Sequence, residues 1–223
     1  MARKSQLAIG GEEEFREEMG RLIVETKDKH KLGYFRKWLK ELEEYKKCYA
    51  EILTDKNSPD DYYVFRFTYV RKKPVWREIL VRGSDTLNDL AIEAIYSMGW
   101  DNDHLHQFLP RTVNGRNLGF YDMLSIALGY PDDDEDWPSY RTQQVRITDI
   151  DWEKWPKWNF VFDFGDSHEF NVDFKRKLTE AQIRKEYYFE ETPWLVDQRG
   201  VGPMQYPAYW EEEEDLDDAG NVC

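Results

Sequence analysis

The chain has 223 residues and a net charge of −14, and its nine Trp, 14 Tyr and 12 Phe supply enough aromatic surface for one sizeable core. Residues 1–60 carry 13 basic and 13 acidic side chains, residues 61–130 eight of each, and the last 93 residues 10 and 24, so the C-terminal part holds the whole acidic excess. A surface of that sign repels phosphate backbones and argues against direct nucleic-acid binding, leaving only a local basic face at Arg71, Lys72, Lys73 and Arg77. Cys48 and Cys223 stand too far apart to read as a structural disulfide, and no apolar run approaches the ~18 residues of a membrane span. The expectation is a cytoplasmic protein without a membrane partner.

Residues 1–11 read as a flexible lead. From Glu12 apolar residues recur at helical spacing through Phe15, Met19, Leu22 and Ile23; Gly33 marks an expected bend, and a second helix follows from Tyr34 to Leu53. Its stripe of Phe35, Trp38, Leu42, Tyr45 and Tyr49 gives residues 12–54 the character of a helical hairpin with one apolar face, a candidate partner-binding surface. The turn-rich stretch from Asp55 to Asp61 is the expected boundary, and a second unit covers residues 60–207.

In that unit Tyr62 to Val70 alternates as a strand, and Val75 to Val81 is its return. Asp85 or Thr86 caps a helix with a core stripe of Leu87, Leu90, Ala91, Ala94, Ile95 and Met98, which Gly99 stops. A short strand is expected from His104 to Leu109, then a loop with a short helix at Tyr121 to Leu128. The acidic run Asp132 to Asp136 lacks the glycine and terminal glutamate of an EF-hand and reads as a solvated loop. Val145 to Ile150 forms a strand or a short turn of helix. Phe160 to Phe174 then alternates around a turn at Gly165 as a β-hairpin with one buried face. Thr179 with Gln182 opens a helix, residues from Pro193 read as irregular, and residues 208–223 form an acidic tail of disordered type. Helices and strands come in clusters rather than in βαβ alternation, which predicts an α+β fold: a mainly antiparallel sheet with one or two packed helices, preceded by the N-terminal helical hairpin.

Four motifs in order carry a family resemblance: Pro74 to Arg77, Met98 to Trp100, His104 to Phe108, and Phe162 to Asp166. Together they resemble the plasmid pRiA4b ORF-3-like family over about residues 60–175. The resemblance implies an α+β domain and a mobile-element setting, and it brings no assigned activity. Two positions depart from the family pattern: His168 stands where Trp is usual and Phe170 where His is usual. The family's C-terminal segment survives only as a trace in Gly200 to Pro207.

The chemistry concentrates in the hairpin turn, where Asp163, Asp166, His168 and Glu169 fall within seven residues, and in His104 and His106. Two histidines two apart on a strand share a face, so His104 and His106, with Asp163 as their candidate third ligand, form a metal set that His168 with Asp163 or Asp166 would close into a mixed N/O site suited to Zn or Mn. A metal-dependent hydrolase is the alternative that follows. No nucleophile elbow accompanies Ser167, and no phosphate-binding loop accompanies the Asp163-Phe164-Gly165 triplet. The sequence therefore reads first as a non-enzymatic binding or regulatory module without a cofactor, its partner a protein with a basic surface. An acidic mimic of nucleic acid is a further alternative.

Overall fold

The computed structural model describes residues 7–71, 74–120, 122–127, 137–187 and 191–206. Lys72, Lys73, the acidic run Asp132 to Asp136 and the acidic tail lie outside them.

Alternation dictates the sheet. In β1 (Tyr62–Tyr69) the odd residues Tyr63, Phe65, Phe67 and Tyr69 are all buried on one face. β1 pairs antiparallel with β2 (Trp76–Arg82) on one side and with β8 (His168–Leu178) on the other. β7 (Lys157–Phe162) pairs with β8, and β3 (His106–Pro110) with β7. The short β6 (Ile126–Ala127) closes one edge and β9 (Trp194–Arg199) the other, so the order is β6-β3-β7-β8-β1-β2-β9. Every neighbouring pair is antiparallel, and the architecture is α+β. β4 (Thr112–Val113) and β5 (Arg116–Asn117) make a separate two-stranded hairpin.

Cross-strand partners share a face, so Phe65 with Ile79, Phe160 with Phe170 and with Phe108, and Trp158 with Val172 form one continuous aromatic layer. Onto it packs α3 (Leu87–Ser97), started by a capping box between Thr86 and Asp89, with Leu87, Leu90, Ala91, Ala94 and Ile95 turned inward. The opposite face carries a smaller cluster of Val64, Leu80 and Leu178, covered by Ile183 of α4 (Glu180–Glu186).

The N-terminal helices form a pair, α1 (Glu12–Glu25) and α2 (Lys29–Ile52), linked by Glu12 to Arg16 and Lys46 and by Arg16 to Glu43. Four expectations change here. Gly33 is not a bend: Asp28 caps α2 by accepting from the His30 and Lys31 amides, and the helix runs straight through the glycine, whose ~1 kcal/mol penalty is less than that of breaking the helix. Of the apolar stripe, Leu42, Tyr45 and Tyr49 are fully buried, so they are core rather than a docking face; only Phe35 and Trp38 remain partly open. Residues 7–10 are not a free lead, because Gly10 and Ser139 exchange backbone hydrogen bonds of 2.8 and 3.3 Å and Leu7 and Ile9 pack on the core. The helix expected at Tyr121 to Leu128 is absent from its described residues, which contain β6 instead.

The strand expected from His104 begins at His106, and the irregular stretch after Pro193 contains β9. Ile147–Asp149 is a short 3-10 turn.

Tyr45 shows how α2 is locked down: its hydroxyl donates to the Ser125 carbonyl at 3.0 Å and accepts from the Tyr140 amide at 2.8 Å, while the Tyr49 hydroxyl donates to the Leu124 carbonyl at 2.6 Å. Tyr45→Phe leaves two backbone groups without their partner and is expected to lower stability by about 2 kcal/mol in urea unfolding. Deleting residues 1–55 uncovers the layer beneath Tyr45, Tyr49 and Ile52. That truncation is expected to aggregate or bind a hydrophobic dye; a soluble, cooperatively unfolding product would show that the helical pair is dispensable.

Candidate functional site

Three segments meet at one end of the sheet: the turn between β7 and β8, the chain between α3 and β3, and the stretch Gly200 to Tyr206 after β9. The turn is held by its first residue. Asp163 has φ 55° and Ser167 φ 54°, both left-handed, a conformation that Asp tolerates because its short side chain bonds locally. Asp163 Oδ1 accepts from the Gly165 and Asp166 amides at 2.9 and 3.2 Å, and its own amide donates to the Leu105 carbonyl at 3.0 Å. Its other carboxylate oxygen faces His104 Nε2 at 3.5 Å.

His104 lies just before β3, not in it. Its side chain is 43% exposed, between Asp163 and Asp103, and its ring contacts those of Phe162 and Tyr206. Asp103 is fixed from the C-terminal side: Gln205 Nε2 donates to one oxygen at 2.9 Å and the Tyr206 hydroxyl to the other at 2.5 Å. The Tyr206 bond leads the effects that hold the Asp103 carboxyl below its usual range, so Asp103 stays ionised. That same bond, reinforced by the nearby charges of Asp103, Asp163 and Asp101, pushes the Tyr206 hydroxyl up to about 12. The carboxylates thus converge on one rim, with Asp166 in the adjoining turn.

The stretch Gly200 to Tyr206 is a strap over the end of α3. Trp100 Nε1 donates to the Pro203 carbonyl at 2.7 Å; Gln205 accepts from the Asp101 amide at 2.8 Å and donates to the Asp101 carbonyl at 2.9 Å. A Cβ at Gly202 would lie 2.2 Å from the Met98 carbonyl oxygen, so only glycine lets the strap approach this closely.

The other candidates separate. His168 is buried beneath the rim, its ring 4.2 Å from that of Trp100. Its Nε2 is 2.9 Å from the Gln205 carbonyl, which can only accept, so Nε2 carries the proton and Nδ1 accepts from the Tyr69 hydroxyl at 3.3 Å. Both ring nitrogens are used by the fold. His106 is in the core between Phe108 and Phe160, with Nε2 3.1 Å from Thr142 Oγ1. The metal set of His104, His106 and Asp163 therefore does not converge, because only two of its members reach the rim. Among the described residues no group of three or more His, Cys, Asp or Glu side chains is placed to hold a metal ion. Glu169 alternates with the core-facing His168 and Phe170, so it lies on the opposite face of β8. Two surface pockets, about 300 and 330 Å³, are lined elsewhere, one by Tyr63, Trp152 and Lys177, the other by Cys48, Val113 and Leu118. Gln205, Tyr206 and Asp103 were not legible as a site; the one signal was the trace of the family's C-terminal segment across Gly200 to Pro207.

Burial depresses both core histidines, His106 to about 3, and His168 below the usual histidine range. A histidine with a depressed folded-state pKa contributes its full stability above the unfolded value of ~6.5. That contribution is lost as pH falls from there toward the folded value. For His106 the loss between pH 6.5 and pH 5 is about 2 kcal/mol. Urea unfolding at the two pH values is expected to show it, and His106→Gln should flatten the dependence; an equal slope in both proteins would assign the loss elsewhere.

No curated protein matches this chain significantly. Among solved structures, the crystal structure of a protein of unknown function, MM3350 from Methanosarcina mazei Go1, is similar at 20% identity, covering 63% of this chain and 71% of that one with a TM-score of 0.48. The pattern of the plasmid pRiA4b ORF-3-like protein family matches residues 67–204. That span takes in well over half of the sequence, from within β1 through Asp103 and Asp163 to Met204 in the strap, and the chain belongs to the plasmid pRiA4b ORF-3-like family.

Proposed function

We propose that this protein is a binding module whose acidic rim takes a Lys- or Arg-bearing segment of a protein partner, in the mobile-element or regulatory setting that the family's plasmid description suggests. The observation that carries the reading is the placement of Asp103 and Asp163 on either side of His104 at 3.9 and 3.5 Å, with Tyr206 bonded to Asp103 and Asp166 in the neighbouring turn. Tyr206 is 46% exposed in the same region. Carboxylates beside an exposed aromatic residue suit an ammonium or guanidinium group, by charge and by cation–π attraction.

The hydrolase reading on His104, His106, Asp163 and Asp166 has less support, because His106 is locked in the core and the rim is open rather than an enclosed pocket. The nucleic-acid mimic rests on Asp132 to Asp136 and the acidic tail, outside the described residues. No described helix is long and apolar enough to cross a membrane.

Calorimetric titration with a Lys/Arg-rich peptide and with a Glu-rich peptide of equal length tests the reading. Only the basic peptide is expected to bind, more weakly at high salt, and roughly fivefold or more weakly to the Asp103→Asn, Asp166→Asn protein. Thermal unfolding of that variant checks that the strap stays in place. Equal binding of both peptides, or of neither, would sink the proposal.

A further inference from the structure

The sheet ends at β9, and among the described residues β9 pairs only with β2. Its first half is protected. The register slips between Glu78 and Ile79, leaving Val196 as a bulge, and the Leu195 amide bonds to the Glu93 carboxylate on α3. From Asp197 to Arg199 the strand is regular, in register with Glu78, Arg77 and Trp76, and exposed. A regular, exposed edge offers its backbone to another strand, although here the Gln198 amide donates to Asp197 Oδ1 at 2.8 Å and the Arg199 carbonyl accepts from Arg77 at 3.2 Å.

Natural edges are commonly blunted by charges, and a single sign does this best, since like charges opposed across a new ladder repel. Here the signs are opposite and two residues apart, Asp197 and Arg199, on one face of the strand. In an antiparallel pairing of this edge with itself about Gln198, the paired residue numbers sum to a constant. Asp197 then faces Arg199 of the second copy, and Arg199 faces its Asp197, on the same face of a continued sheet. The pattern is self-complementary, as an isologous interface requires. The bulge at Val196 and the left-handed turn at Gly200 confine this pairing to Asp197 through Arg199. An unrelated extended peptide would need to match this acid–base spacing by chance; a second copy matches it by symmetry.

We infer that the protein forms a two-fold dimer through the β9 edge, with Gln198 on the axis and two reciprocal Asp197–Arg199 pairs. Sedimentation velocity of the full chain over a concentration series is expected to show a species of twice the chain mass. Asp197→Arg or Arg199→Asp alone should weaken it at least tenfold, and the two together should restore it. In a Cys48→Ser, Cys223→Ser background, Gln198→Cys is expected to cross-link under mild oxidation, because antiparallel partners sit about 4.5–5.5 Å apart at Cα. Arg199→Cys, facing Asp197 and not itself, should not. A wild type that stays monomeric at every concentration, a double variant no stronger than the singles, or equal cross-linking at positions 198 and 199 would each overturn the inference.

Discussion

The arrangement at the end of the sheet depends on one buried cation. Arg77 lies on the core face of β2, only 3% exposed, and among the described residues no carboxylate is a partner of its guanidinium. Its Nε donates to the Ser97 carbonyl at 2.7 Å, and Nη1 to the carbonyls of Trp76, Gly200 and Arg199 at 2.9, 3.1 and 3.2 Å. Burial alone lowers its pKa. Taking an unpaired charge out of water costs several kcal/mol, and what offsets it here is a ring of carbonyl dipoles that includes the negative end of α3. The carbonyls come from three parts of the chain, so satisfying the charge also fixes where the helix end, β2 and the segment after β9 sit relative to one another.

The strap leaves that ring at Gly200, whose φ of 75° lets the chain turn back over α3, and it reaches the rim at Gln205. There it makes two kinds of bond from one residue. The backbone carbonyl accepts from His168 below, and the side chain bonds to Asp101 and Asp103 beside it. His168 lays a flat ring against Trp100, and its second ring nitrogen adds a link to Tyr69. Phe170 stands among Tyr69, Trp100 and Phe160 in the aromatic layer, where an imidazole would have to be desolvated.

Regular periodicity made much of the fold legible. Alternation in Tyr62 to Tyr69 and in the β7–β8 hairpin, and the capping boxes at Thr86 and Thr179, gave strands and helix starts in the right places because each is set by local chemistry. Elements whose reason is tertiary were missed. β9 begins after Pro193 and has no strong alternation of its own; its place is made by the β2 edge and by Arg77. Gly33 looked like punctuation, but α2 is anchored beyond it by Tyr45, Tyr49 and Ile52, so the local signal lost to packing. The rim was half legible. Asp163 in a tight turn and His104 before a strand could be picked out by type, whereas His106 was misplaced onto the same face because β3 starts one position after Leu105. Gln205 and Tyr206 lie about a hundred residues from Asp103, and no spacing rule connects them.

One segment, Trp194 to Tyr206, supplies both the outer sheet edge and the residues that fix the acidic rim, and Arg77 holds its midpoint. A two-fold pairing across β9 would bring two rims into one assembly in a fixed relation, since neither the edge nor the strap can move independently of the Arg77 carbonyl ring. A partner with two basic segments at the matching separation would then meet the second rim at high effective concentration, so that contacts weak on their own, as exposed charge pairs are, add up to specific retention. Selectivity would come from the distance between basic segments as much as from their charge, which is how an open, solvent-screened surface can discriminate among the many basic proteins that present only one.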